Sequence, residues 1–367
     1  MKIALIIPGG VDPLGVHVIP VLLTLIRRLS RDHDVHVFST HQEPSPGGWR
    51  LEGAQIHNIG YSRTAWRTLR AVLKEHRAAP FQIIQSIWAG PWGALAVCAG
   101  KLTRVPSVVH VAGGELVGLT DIDYGGSCTW RGRMFQSTVL KFATQITAPS
   151  EMICALVAEH GVQAQRLPLG VDIDRWPLRQ PVARSHDERP RLIHVASLNR
   201  VKDQPTLLRA LRVLADRAYD FRIDIVGEDV LDGEIQSMAQ DIGLGQRVQF
   251  HGYLVHDRLR PVIEAAHVAV ISSRHEAGPI ALLEAAVAGV PTVGTAVGHI
   301  DEWSPHAALA VPCQNPVALA DAIQLLLDDE NLRMRLAHEA LRRASRMDAD
   351  QTAVAYNHLY HQILGPG

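Results

Sequence analysis

The 367-residue chain has only four cysteines, and Cys98, Cys128, Cys154 and Cys313 stand at least 26 positions apart. No CxxC pair exists, which removes zinc ribbons and dithiol redox motifs and fits a reduced compartment. An excess of one charge is also missing. Lys and Arg number 36 against 37 Asp and Glu, a formal net charge of -1, so nothing in the charge balance calls for a nucleic-acid partner. No apolar run approaches the roughly 18 to 20 residues that cross a bilayer. The opening "MKIALIIPGG" has too short an apolar region before Pro8 for a secretory signal and reads as a first strand. These absences together predict a cytoplasmic protein. Reaction signatures are lacking too. No GxGxxG follows either domain's first strand, against a nicotinamide dehydrogenase, and no GxSxG elbow marks a hydrolase. Nineteen histidines include no HExxH or comparable ligand spacing, so the expectation is no catalytic metal and no required cofactor.

What is present is an ordinary globular composition, 47% hydrophobic and 20% charged, at a length suited to two domains. Short β-rich apolar runs alternate with longer amphipathic stretches, the pattern of parallel strands joined by helical crossovers. "IALIIP", "VHVFST", "AQIHNI", "QIIQSI", "SVVHVA" and "QITAPS" form a first series; "LIHVAS", "RIDIVG", "VQFHGY", "VAVISS" and "PTVGT" form a second. Between them, residues 167–191 are rich in proline and charge and read as a linker. The fold class is therefore α/β, with two Rossmann-like doubly wound parallel sheets, each opening a crevice at the carboxyl ends of its strands and facing the other across a deep cleft. The expected domains are 1–172 and 173–347, with a C-terminal helix, 348–367, returning to the first domain through Val354, Tyr356, Leu359 and Ile363.

One stretch carries most of the chemistry: "SSRHEAGPIALLEAAVAGVPTVGT", residues 272–295, places Glu276 and Glu284 eight positions apart in an otherwise apolar run. Pro279 after Gly278 predicts a helix beginning at the proline, with Glu276 in the loop before it and Glu284 inside. A buried carboxylate is costly unless something polar meets it. The free N–H groups and positive end of such a helix suit an anion, whereas a neighbouring carboxylate suits hydroxyls. A sugar carried on a diphosphate offers both: amides for phosphate, Glu276 for sugar hydroxyls, Glu284 for ribose. A capping acid and a partly exposed helix acid explain the same two residues equally well.

The strand, the E-x7-E spacing, the Gly-Pro between the glutamates and the following "EAAVAGVPTVGT" resemble the nucleotide-sugar motif of the family 4 retaining glycosyltransferases of GT-B fold. The resemblance implies that Glu276 lies at the donor sugar, that Glu284 holds the ribose, and that Ala277, Gly278, Pro279, Ile280 and Ala281 form the phosphate and sugar segment. "VQFHGYL" is similar to the family's strand beside the nucleotide base, which implicates Gly252 and Tyr253. "HVASLNRVKDQPTLLRAL" resembles the diphosphate loop; Lys202 matches its lysine, while the family's arginine position holds Ser197, with Arg200 nearby as a substitute. Gly10, after the first strand, is similar to the family's glycine loop. On the acceptor side the family's His-Gly-x-Asp is replaced by Ala112, Gly113, Gly114 and Glu115, and the role of its histidine does not pass to His110.

The resulting expectation is a retaining hexosyltransferase-type glycosyltransferase that moves a sugar from a UDP- or GDP-sugar to a small-molecule, glycan or lipid-linked acceptor. Lys202, Arg200 and Glu276 are its candidate catalytic residues. Two alternatives stand beside it: a retaining GT-B glycoside phosphorylase, and a non-catalytic nucleotide-sugar-binding relative, which the Ser197 departure favours. Residues 61–79, with Arg63, Arg67, Arg70, Lys74 and Arg77 around Trp66, form a basic amphipathic segment suited to a peripheral contact at the inner face of a membrane or to packing on a sheet.

Overall fold

The computed structural model describes residues 1–15, 18–185 and 187–365. Two compact units emerge, one formed by residues 1–170 together with the segment from Ala349 onward, the other by Val171–Asp348. The sequence placed the crossings at 172/173 and 347/348, two residues later and one residue earlier than these. Among the described residues, eight strands build the first unit: β1 (Lys2–Ile7), β2 (Asp34–Ser39), β3 (Gly47–Leu51), β4 (Ala54–Asn58), β5 (Ile83–Ile87), β6 (Ser107–His110), β7 (Gln145–Ala148) and β8 (Gln165–Arg166). Their order is β3-β4-β2-β1-β5-β6-β7-β8, parallel throughout except for β3. The second unit holds β9 (Arg191–Val195), β10 (Arg222–Val226), β11 (Val248–Gly252), β12 (Val268–Ile271), β13 (Thr292–Thr295) and β14 (Ala308–Val311). Its order is β11-β10-β9-β12-β13-β14, and every pairing is parallel. Both sheets are doubly wound, because the strand order reverses beside β1 in one and beside β9 in the other.

The inner strands are apolar along their whole length because helices cover both faces of a parallel sheet. Leu192, Ile223, Val268 and Val293 pack against the helix Gln204–Asp216 on one face of the second sheet, while Ile193, Ala269 and Ile271 meet Leu282, Leu283 and Ala286 on the other. In the first unit the helix Ala349–Leu364 returns to the core with Tyr356, Leu359 and Tyr360, which pack on Ile3, Leu5, Leu22 and Ile26. Of the expected contacts, Tyr356 and Leu359 are buried and Ile363 packs partly buried against the same core, but Val354 is 60% exposed and Ala353 takes its inward place. The last two residues of the expected 348–367 helix lie outside the described residues, as does His17 ahead of the helix Pro20–Leu29.

The expected linker proves to be mostly part of the second unit. Trp176 is 2% exposed in that unit's core, the Arg179 amide donates to Val287 O at 2.8 Å, and the Arg184 amide donates to Glu330 Oε1 at 2.8 Å. Proline and charge gave this stretch the look of a spacer, yet it is an irregular chain pinned along its length.

Candidate functional site

In the second unit the strand order reverses between β9 and β12, so the chain leaves these neighbours toward opposite faces and opens a crevice at their carboxyl ends. The loop after β9 tightens into a short 3-10 turn, Arg200–Lys202, capped by the Asn199 side chain. The loop after β12 is stitched to it: Ser272 Oγ donates to Lys202 O at 2.8 Å, and the Arg274 amide donates to Val201 O at 2.8 Å. This stitching brings Lys202 Nζ to 2.6 Å from Glu276 Oε1, which also accepts from Ser273 Oγ at 2.6 Å. The lysine and glutamate side chains keep 24% and 12% exposure, so the charge-assisted bond is sheltered yet reachable. Gly298 clamps the glutamate's backbone. It lies at φ +49°, and a Cβ there would fall 2.9 Å from Glu276 O.

Behind the pair sits His194, fully buried on β9, its pKa lowered to about 4 by burial. Its Nδ1 faces Val270 O at 2.8 Å and must donate there, which leaves Nε2 to accept from the Gln204 amide at 3.2 Å. The same Gln204 amide donates to Ser197 O at 3.1 Å, fixing the turn that leads to Lys202.

The helix after the glutamate loop spans Ile280–Val287, with Pro279 as its N-cap rather than its first residue. No side chain caps it, so the Ile280 and Ala281 amides, which have no intrahelical acceptor, form a partial positive end. Glu284 lies one turn further. Its carboxyl has no hydrogen-bond partner among the described residues, and burial raises its pKa to about 7. The residue is only intermediate in exposure, so the group occupies a narrow recess rather than a sealed core.

Several expected site residues stand apart from this group. Arg200 is turned to Glu234 Oε2 at 3.2 Å, with 58% of its side chain exposed, because the 3-10 turn points it away from Lys202's partner. Ser197 is exposed. Gly252 ends β11 with its carbonyl accepting from the Gly227 amide at 2.9 Å, and Tyr253 beyond it is 54% exposed. Ala277 and Gly278 lie in the glutamate loop, Ala277 buried. Gly10 belongs to the first unit, where the Gly10 and Val11 amides donate to Gln42 Oε1 at 2.8 and 2.9 Å. Its glycine requirement is local: φ is +85°, and a Cβ would strike the Ile19 side chain.

Glu115, expected to face an acceptor, is turned inward. Its carboxylate accepts the amides of Ala89, Ala112 and Gly113 at 2.9, 3.2 and 2.6 Å, tying the loops after β5 and β6 together. Burial still pushes its pKa up, against those amides. Gly113 and Gly114 form that same turn, Gly114 packed against the Tyr124 ring. His110 is a core residue: its Nδ1 meets Thr147 Oγ1 at 2.9 Å, and burial lowers its pKa to about 3.

Sequence reasoning missed Ser272, Ser273, His194, Gln204 and Gly298. Only the serines carried a signal, sitting at the end of a strand that points into a crevice. A cavity of about 260 Å³ lies elsewhere in the second unit, lined by Arg179, Arg191, His267 and Arg333. Its buried cation is already committed, since Arg333 pairs with Glu330 and donates to Val182 O. No helix among the described residues is long and apolar enough to cross a membrane.

Family models match both units. The model described as "Glycosyl transferases group 1" matches residues 177–343, and "Glycosyl transferase 4-like domain" matches residues 18–171. D-inositol 3-phosphate glycosyltransferase of Corynebacterium glutamicum is 26% identical over 178 residues, 46% of this chain and 43% of that protein; the match thus spans less than half of the relative's length. Among solved structures, sucrose-phosphate synthase from Thermosynechococcus elongatus superposes with a TM-score of 0.79 at 19% identity, over 99% of this chain and 98% of that one. Anabaena HepE in complex with UDP-glucose gives 0.76 at 17% identity, over 99% and 100%. The two matched models together take up most of both units, and the chain belongs to the family 4 glycosyltransferases of GT-B fold.

Proposed function

We propose that the chain is a retaining glycosyltransferase whose second unit binds a nucleotide-diphosphate sugar, a UDP-sugar or GDP-sugar, and whose first unit holds the acceptor. The observation that carries the reading is the pairing of Lys202 with Glu276 at the strand-order reversal, a cation and a hydroxyl acceptor side by side. Lys202 and the Ile280 and Ala281 amides neutralise the departing diphosphate, Glu276 receives sugar hydroxyls, and the unpartnered Glu284 receives the ribose. The bond from the anomeric carbon to the diphosphate breaks while a bond to the acceptor oxygen forms on the same face. The acceptor's proton passes to a leaving phosphate oxygen. No metal or further cofactor enters this scheme. Arg200 is held on Glu234, so the charge on the phosphate rests on Lys202 and the amides.

UDP-sugars come first in the test because the structural neighbour Anabaena HepE is in complex with UDP-glucose. Thermal shift with uridine, guanosine, adenosine and thymidine diphosphates and their sugars should show one responsive base, with the response reduced in Glu284→Ala. A folded protein that responds to none would overturn the donor assignment. The anomeric configuration of a transferred product, read by NMR, tests retention. A second reading, a non-catalytic nucleotide-sugar-binding relative, is favoured by the engagement of Arg200 and the serine at 197; turnover with any donor removes it.

The first unit adds a peripheral membrane contact to the proposal. On the helix Thr64–Ala78 and its N-cap, Arg63, Trp66, Arg70, Lys74 and Arg77 are all exposed along one face, Trp66 by 65%. Such a face suits an anionic surface that presents a lipid-linked acceptor.

A further inference from the structure

Away from its strand ends, the first unit gathers three side chains that no sequence spacing links. His36 stands on β2, His57 on β4 and Glu75 on the helix Thr64–Ala78. One ligand-type atom from each lies within 4.8 Å of the others. His36 Nδ1 is 2.9 Å from His57 Nε2 and 4.0 Å from Glu75 Oε2. Zinc holds nitrogen and oxygen ligands at about 2.0–2.2 Å, which sets tetrahedral ligand atoms roughly 3.3 Å apart. The observed separations straddle that value, so small side-chain rotations suffice to close all three around one ion.

The far side of His36 carries a second observation. Its Nε2 faces Asp34 Oδ1 at 3.4 Å, so a carboxylate sits behind the ring in the arrangement that orients a histidine ligand and fixes which nitrogen points to a metal. That leaves Nδ1 to face His57 and Glu75. The His36 and Glu75 side chains keep 12% and 26% exposure, enough for entry and for a water as fourth ligand.

We propose that His36, His57 and Glu75 form a structural site for a zinc-like divalent cation, with Asp34 positioning His36, and that the ion fastens the helix Thr64–Ala78 to β2 and β4. The site is independent of the donor chemistry and stands or falls separately from it.

The test uses the full, tag-free chain treated with a chelator and then titrated with Zn²⁺ by calorimetry and with Co²⁺ by visible absorption. One saturable equivalent and the intense bands of tetrahedral Co²⁺ are expected. Glu75→Gln and His57→Ala should abolish both signals, and Asp34→Asn should weaken binding about 10- to 100-fold. Far-UV circular dichroism checks each variant; Glu75→Gln, on a helix surface, keeps the test valid if the histidine variant fails to fold. Absence of saturable binding, or binding of equal strength in wild type and Glu75→Gln, would overturn the proposal.

Discussion

The two units use the carboxyl ends of their sheets differently. In the first, Gln42 takes the Gly10 and Val11 amides, and Glu115 takes three more, so donors and carboxylate satisfy one another. In the second, Lys202 and Glu276 form a reachable pair, the Ile280 and Ala281 amides have no intrahelical acceptor, and Glu284 has no partner among the described residues. Glu115 and Glu284 make the contrast sharp. Burial raises both pKa values, but one group is met by amides and the other by no partner among the described residues. A buried acid therefore signals a ligand only when the protein leaves it unanswered.

The largest effect should come from the open side. Lys202→Ala removes a preorganised cation, and turnover with the responsive donor should fall about 100- to 1000-fold. A change below tenfold in a folded variant would return the leaving-group role to Arg200. On the closed side, Glu115→Ala strands three amides and should cost about 3 kcal/mol in urea unfolding while leaving nucleotide affinity unchanged. Loss of nucleotide binding with unaltered stability would erase the distinction between the units.

Glu284 permits a finer measurement. Its folded pKa is raised, so the native state binds the extra proton, and stability falls as pH climbs from the unfolded value through about 7. Glu284→Gln should match wild type at pH 4 and exceed it by on the order of 2 kcal/mol at pH 8, part of the full shift being offset by the wetted edge of the recess. Parallel curves for the two proteins would mean that the carboxylate is already solvated. The smallest effect is outward. Replacing Arg70 and Lys74 by Glu should weaken sedimentation with anionic vesicles by about 1 kcal/mol per lost cation, more after reversal, and leave binding to neutral vesicles unaffected. Equal binding to both vesicle types would return the helix face to simple solvation.

All eleven expected strands are present, because strands buried on both faces write continuous apolar runs into the sequence. β3 escaped because Gly47, Gly48 and Arg50 give an exposed edge strand no such run, β8 because its two exposed residues Gln165 and Arg166 write none, and β14 because "ALAV" is short and small. The resemblance names Lys202 and Glu276 separately, and their ion pair is not foreseen in the sequence. Its supports are not either, since His194 looks like any strand residue until Val270 and Gln204 are beside it. Nor could Glu115 be told from Glu276 by pattern, as both are acids in loops after strands. Ala89, which helps to decide Glu115's role, lies 26 residues away. His36, His57 and Glu75 come together only when two strands and a helix are assembled.

The helix Ala349–Leu364 gives the first unit a debt to the end of the chain. During synthesis its sheet emerges first, but Tyr356, Leu359 and Tyr360 follow only after the whole of Val171–Asp348 has been made. At ribosomal rates that is a wait on the order of ten seconds or more. Leu22 and Ile26 lack those three partners throughout it. The contiguous second unit suffers no such delay, so the part translated first is the part finished last.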